Sequence, residues 1–342
     1  MKSVTAQAAF LAAGVLAAAA VAADSGPSRM DPDPDCLKPG DVRTMAITYT
    51  GDVKEIPAGT KRLRVWLPVP RTTPVQAIAD LKFEGSPPKL TTEARHGNTL
   101  AYFEVENPGA TFDATFSFTC TRKEQVTDLA KLAEDGRESD ASAADFLKDE
   151  RLTVVDDSLR AMAAEATKGK ATTLAKARGI YDAVMAKMTY DKTGTGWGRG
   201  DVQHACETCK GNCTDFHALF MGMCRASGIP AGFEIGLFPP YKRGSDEKLG
   251  GYHCWAFFRV PGKAWVPVDI SEADKVAGTD PKMVEYFFGA HTSNRVTLSV
   301  GRDLVLEPKQ DGDPVNYLLN PYAEADGKPV AGVSKDWTCK DR

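Results

Sequence analysis

The spacing of apolar residues changes period once along this chain, and that change limits the fold more than any other feature. From about 41 to 122 the period is two. Leu63, Val65 and Leu67 alternate with Arg62, Arg64 and Trp66, and Phe112, Ala114, Phe116 and Phe118 alternate with Asp113, Thr115 and Ser117. Turn residues at Gly51, Gly59, Pro87-Pro88, Gly97-Asn98 and Pro108-Gly109 cut this stretch into short strands. The expectation is a small antiparallel β-sandwich over 41–122. His96, its lone histidine, falls in a turn and reads as solvated. After residue 150 the period lengthens: Leu174, Ala177, Tyr181, Val184 and Met188 step by three and four along one helix face. The fold class is therefore α+β. A charged stretch, 123–150, serves as linker, a second domain covers 151–310, and 311–342 form a C-terminal extension.

The 342 residues suffice for two domains. Lys and Arg number 42 against 46 Asp and Glu, a net charge of −4, so there is no basic excess to neutralise a phosphate backbone. Nucleic acid is not an expected partner. The long apolar run lies at the start, where Lys2 precedes Phe10 to Ala22 and Ala20-Val21-Ala22 has the small-x-small pattern of a cleavage site. Residues 1–22 thus read as a secretory signal and 23–40, rich in Pro, Asp and Gly, as a flexible lead-in. The expected protein is exported, periplasmic or secreted, with no integral membrane segment after cleavage. Export would permit disulfides among the eight cysteines, Cys206-x-x-Cys209 being the easiest local bridge.

Gly211-Asn212-Cys213-Thr214-Asp215-Phe216 opens a helix whose Phe216, Leu219, Phe220 and Met223 share a face, and Ser227-Gly228-Ile229-Pro230 ends it. Cys213 then stands in the first turn, where unpaired N–H groups and the helix dipole favour a thiolate. His253 begins a buried strand after Gly250-Gly251, and Asp269 ends the next one, Trp265-Val266-Pro267-Val268-Asp269. Two adjacent antiparallel strands would set His253 beside Asp269. The histidine would take the Cys213 proton and the aspartate would hold the imidazole in the right tautomer.

The ordered segments Gly-Asn-Cys213-Thr-Asp-Phe, Gly-Tyr-His253-Cys-Trp-Ala and Trp-Val-Pro-Val-Asp269 resemble the transglutaminase-like superfamily in its bacterial exported branch. The resemblance runs over about 150–300, including Tyr190-Asp191-Lys192 and Gly228-Ile229-Pro230-Ala231. It implies a papain-like core preceded by an accessory sandwich, with Cys213 as nucleophile, His253 as base and Asp269 as its orienter. The implied activity is acyl transfer on peptide, protein or cell-wall amides through a thioester: hydrolysis, deamidation or transamidation. No acidic loop has calcium-ligand spacing, and no cofactor or metal is expected.

Other readings compete. His204, Cys206, Cys209, Cys213 and His217 are dense enough for a zinc or redox module on Cys206, Cys209 and Cys213. A catalytically silent member would use the cleft only to hold peptide or wall polymer. His217 is a rival base, though one turn inside the helix it should point away from the thiol. Trp197 and Trp255 are candidate substrate contacts, though Trp255, like Trp265, lies in a strand and reads more often as core; the Cys213 backbone N–H and Gln203 are candidate oxyanion donors. Thr193–Gly200, glycine at every second position, reads as a mobile loop, and the stretch from Gly301 through Leu306 as a closing strand.

Overall fold

The computed structural model describes residues 29–244, 248–249 and 251–342. The expected signal segment, 1–22, lies outside the described residues. Among them, no helix is long and apolar enough to cross a membrane.

Two five-stranded antiparallel sheets form a sandwich. One orders Lys248–Leu249, Val333–Asp341, Val42–Val53, Phe112–Lys123 and Gln76–Phe83. The other orders Lys328–Pro329, Tyr322–Ala325, Arg62–Val69, Thr99–Glu106 and Lys89–Thr92. Period two appears as expected in Val42–Val53, where Met45, Ile47, Tyr49 and Val53 face the core. The sandwich is not built from 41–122 alone. Val333–Asp341 pairs along Val53 to Met45, and Tyr322–Ala325 pairs with Trp66 to Leu63. Residues expected to trail as an extension thus complete both sheets.

Arg62–Val69 is buried on both faces. Leu63, Val65 and Leu67 join the main core, while Trp66 packs with Leu100, Tyr102, Leu304, Leu306 and Leu318. That second cluster explains why Gly301 through Leu306 is not a closing strand. Leu304 makes one bridge, to Val315, and this irregular segment covers the outer face of the sandwich instead. The fourth strand of the second domain is Val296–Val300.

The second domain centres on an antiparallel sheet ordered Trp265–Val268, His253–Arg259, Ala231–Leu237 and Val296–Val300. Helices Asp157–Thr167, Thr173–Lys187 and Val202–Thr208 surround a buried helix, Cys213–Ala226, which packs on that sheet. This helix has no wet face: every residue from Cys213 to Arg225 is buried. The strands pack closely as well. At the irregularity between Ile235 and Gly236, a β-carbon on Gly236 would come within 1.8 Å of the Val296 carbonyl oxygen, so only glycine fits.

Three sequence expectations change here. The lead-in is docked where it is described: Met30 is buried with Trp255 and Trp265, and Leu37–Lys38 pairs with Gln125–Thr127. His96 is buried, because the Glu93 carboxylate accepts its backbone N–H and that of Arg95, folding the turn inward against Phe146. All eight cysteines are free thiols, so Cys206 and Cys209 are not bridged; the Cys209 Sγ faces the Cys206 carbonyl.

Candidate active site

Asn212 caps the buried helix. Its side chain accepts the Thr214 N–H at 2.8 Å, and the Asp215 carboxylate accepts the Asn212 N–H at 2.9 Å, a reciprocal capping box. Cys213 is thereby fixed as the first helical residue. Asp215 does more than cap: it also accepts the N–H of Gly198 at 2.7 Å and of Gly200 at 3.0 Å. Tyr317 Oη donates to the Gly198 carbonyl, while Arg302 reaches the carbonyls of Arg199 and Gly200. The glycine-rich segment is therefore clamped across the start of the helix rather than mobile. Its glycines serve close approach: Gly200, at φ +65°, would press a β-carbon against Thr214 and Arg302.

His253 opens its strand and faces the helix start. Its Nε2 lies 2.6 Å from Asp269 Oδ2, and it also hydrogen-bonds the Cys213 thiol. With Nε2–H donated to the carboxylate, Nδ1 is the nitrogen left for sulfur. Asp269 follows the adjacent strand and caps the helix Ile270–Val276. Its Oδ1 accepts the Glu272 N–H and the Ser271 hydroxyl, both at 3.1 Å. Cys213, His253 and Asp269 are all buried, at 2%, 3% and 0% exposure, so charge on them is weakly screened by water.

The electrostatics follow from these contacts. A hydrogen bond from the Cys254 thiol, joined by the His253 imidazole, overrides burial and holds the Cys213 thiol well below its ordinary range. Burial opposes a charged His253, but the Asp269 carboxylate and the Cys213 sulfur push its pKa up to about 9. Asp269 is held well below the carboxylate range, against burial, by His253 and Arg295. The set favours a thiolate–imidazolium pair over a neutral one.

His217 belongs to a different network. Its Nε2 accepts the Ile270 N–H at 3.2 Å, and burial pushes its pKa down to about 4, so it stays neutral. Its Nδ1 lies 3.7 Å from the Cys254 Sγ. Histidine at this position ties the helix to the Asp269 cap.

Other candidates separate from this centre. Trp255 is fully buried, its Nε1 donating to Glu234, and it lines no cleft; a strand covered on both faces has no outward position for it. Gln203 interacts with Asp156, the cap of the Asp157–Thr167 helix, and its backbone N–H donates to Asp201 at 3.1 Å. Trp197 is half-buried on the clamped segment, with Nε1 donating to the Gly194 carbonyl at 3.3 Å. Among the described residues no group of three or more His, Cys, Asp or Glu side chains could hold a metal ion.

Sequence reasoning missed Arg295, Cys254 and Tyr252. Arg295 donates to the same Asp269 oxygen as His253. Cys254 lies 3.6 Å from Thr214 Oγ1, and Tyr252 Oη takes the Asn212 amide at 2.9 Å. The last two flank His253 in sequence, which was a usable signal: alternate strand residues border a neighbour's site from either side. Arg295 gave none.

Residues 160–270 match the family model of the transglutaminase-like superfamily. An uncharacterized Haemophilus influenzae protein is 35% identical over 190 residues, 47% of this chain and 52% of its own length; the chain thus spans about half of that relative. A candidate cysteine protease from Cytophaga hutchinsonii superposes with a TM-score of 0.57 at 15% identity, over 88% of this chain and 91% of that one. The periplasmic domain of TgpA from Pseudomonas aeruginosa reaches a TM-score of 0.35 at 13% identity, over 76% and 98%.

Proposed function

With residues 160–270 a transglutaminase-like domain, we propose that this chain is a cysteine-dependent acyl-transfer enzyme acting on peptide or protein amides. The observation that carries the reading is the buried chain of contacts from Cys213 through His253 to Asp269. The fold shared with the Cytophaga hutchinsonii protein supports it. Cys213 thiolate attacks the amide carbonyl carbon, and the carbonyl electrons move onto oxygen. The backbone N–H of Cys213, in the first turn of its helix, faces that oxyanion. His253 gives its Nδ1 proton to the leaving amine as the C–N bond breaks and a thioester forms. Water or an amine then attacks the thioester, His253 accepts its proton, and the C–S bond breaks to restore the thiolate. Asp269 keeps the imidazole oriented through both halves. Trp197 lies on the edge of this region and contacts the acyl donor. Export to the periplasm or beyond accords with the apolar first 22 residues.

The test is selective labelling. Iodoacetamide at mildly acidic pH, followed by peptide mapping, should modify Cys213 far ahead of the other seven cysteines. Labelling should persist well below the ordinary thiol range, whereas acyl transfer should fall as pH rises through about 9, where His253 loses the proton it must give to the leaving amine. Equal labelling of several cysteines, or a Cys213 that reacts only above the ordinary thiol range, would overturn the reading.

A further inference from the structure

Arg295 occupies a position that the acyl-transfer scheme does not use. It is fully buried and precedes the strand Val296–Val300. Its Nη2 donates to Asp269 Oδ2, the oxygen that receives His253 Nε2, and its Nη1 donates to Thr292 Oγ1 at 2.6 Å. The guanidinium is boxed by the rings of Phe238, Trp255 and Phe287, with centroids 5.3, 5.7 and 5.8 Å away. A cation held this firmly beside the orienting carboxylate changes what that carboxylate can do.

We propose that Arg295 is a positioning residue that weakens the hold of Asp269 on the His253 proton, by sharing the one carboxylate oxygen with it. The inference rests on the acyl-transfer reading for its purpose, but its physics is separable. A bare buried carboxylate would bind imidazolium strongly, and a histidine that keeps its proton too firmly is a poor acid toward a leaving amine. A permanent guanidinium on the same oxygen keeps Asp269 ionised and cancels part of its pull. Other charged and titratable groups near this pair do not share that oxygen, among them the Tyr181, Tyr241 and Tyr286 hydroxyls and the Cys254 thiol, all kept protonated by burial. From the nucleophile helix come Cys213, bonded to His253, and His217, held neutral by burial. From the helix after Asp269 comes Glu272, engaged by Tyr241 and Lys275. His291, from Ala290–His291, is kept neutral by burial and by Arg295 itself. Arg122 lies beyond, from the sandwich, and its charge interacts with Glu234. Arg295 is the group that shares an atom with the partner of His253.

The experiment reads His253 directly. Nuclear magnetic resonance titration of its ring in Cys213→Ala protein, with and without Arg295→Gln, should show the midpoint rising by about one pH unit when the guanidinium is lost. With Cys213 present, Arg295→Gln should move the alkaline limb of the rate profile upward and lower kcat more than it changes KM. Arg295→Lys, which keeps the charge, should return the limb toward wild type. An unchanged or lowered midpoint in folded Arg295→Gln overturns the proposal. If that variant does not fold, the wild-type Arg295 side-chain nitrogen signals serve instead: they should titrate with the His253 midpoint, and their indifference to it overturns the proposal equally. Because the ring titration is read without the nucleophile, its outcome is independent of catalysis. A Cys213 no more reactive than a free thiol would sink the acyl-transfer reading and leave the titration result standing.

Discussion

Asp215 offers the sharpest test of how Cys213 is held. Its carboxylate collects three buried backbone N–H groups: Gly198 at 2.7 Å, Asn212 at 2.9 Å and Gly200 at 3.0 Å. Asp215→Ala removes every acceptor at once. Each bond to a charged acceptor contributes about 1.5–3 kcal/mol, and some stranded N–H groups will find water as the glycine segment loosens. The expected loss of stability is therefore about 4 kcal/mol. Asp215→Asn keeps one oxygen, which can serve the two N–H groups now on Oδ2, but turns an amide toward the third. Its expected loss is about 2 kcal/mol. Urea unfolding followed by circular dichroism measures both, with an unchanged m-value required for the comparison. Iodoacetamide labelling of Cys213 should slow in the same order, since the cap and the clamp hold one sulfur. A loss below about 1 kcal/mol in Asp215→Ala, at constant m, would refute the reasoning, because three buried N–H groups cannot lose a charged partner so cheaply.

Two further outcomes follow. His253→Ala should lower acyl transfer about as far as Cys213→Ala, Asp269→Asn should cost less, and His217→Ala should affect mainly stability, since His217 is neutral and bonded to Ile270. Turnover by each folded variant in a common amide assay decides this, and a dead His217→Ala beside an active His253→Ala would reverse the assignment. Gly236→Ala should destabilise by about 2 kcal/mol or more in thermal or urea unfolding, because its β-carbon meets the Val296 carbonyl; a neutral result would mean the sheet yields there.

What the sequence revealed was mostly local. The helix start at Cys213 was legible because its cap, its apolar face and its Gly-Ile-Pro stop all lie within twenty residues. His253 and Asp269 were legible because a short hairpin joins their strands, so neighbouring in sequence became neighbouring in space. Trp255 stayed open between core and cleft because a strand buried on both faces shows no alternation to say which way it points. The glycines at 194, 196, 198 and 200 suggested mobility, since the carboxylate that binds two of them sits in another element. Arg295 was invisible for the same reason: in sequence it is one arginine before a strand, and its meaning comes from three rings and a carboxylate contributed from elsewhere.

The sandwich joins residues 45–53 to residues 333–341, so the second domain lies, in topological terms, between strands of a sheet that it interrupts. On the ribosome the Val42–Val53 strand emerges early and waits for its neighbour through the synthesis of the whole second domain. Long-range pairing of this kind is slow to form. The same late strand grips the approach to His253, pairing with Lys248–Leu249 and donating from Trp337 Nε1 to the Gly251 carbonyl at 2.9 Å. Val333–Asp341 thus has two neighbours to hold at once: the strand that completes the sheet also fixes Gly251, two residues before the His253 imidazole.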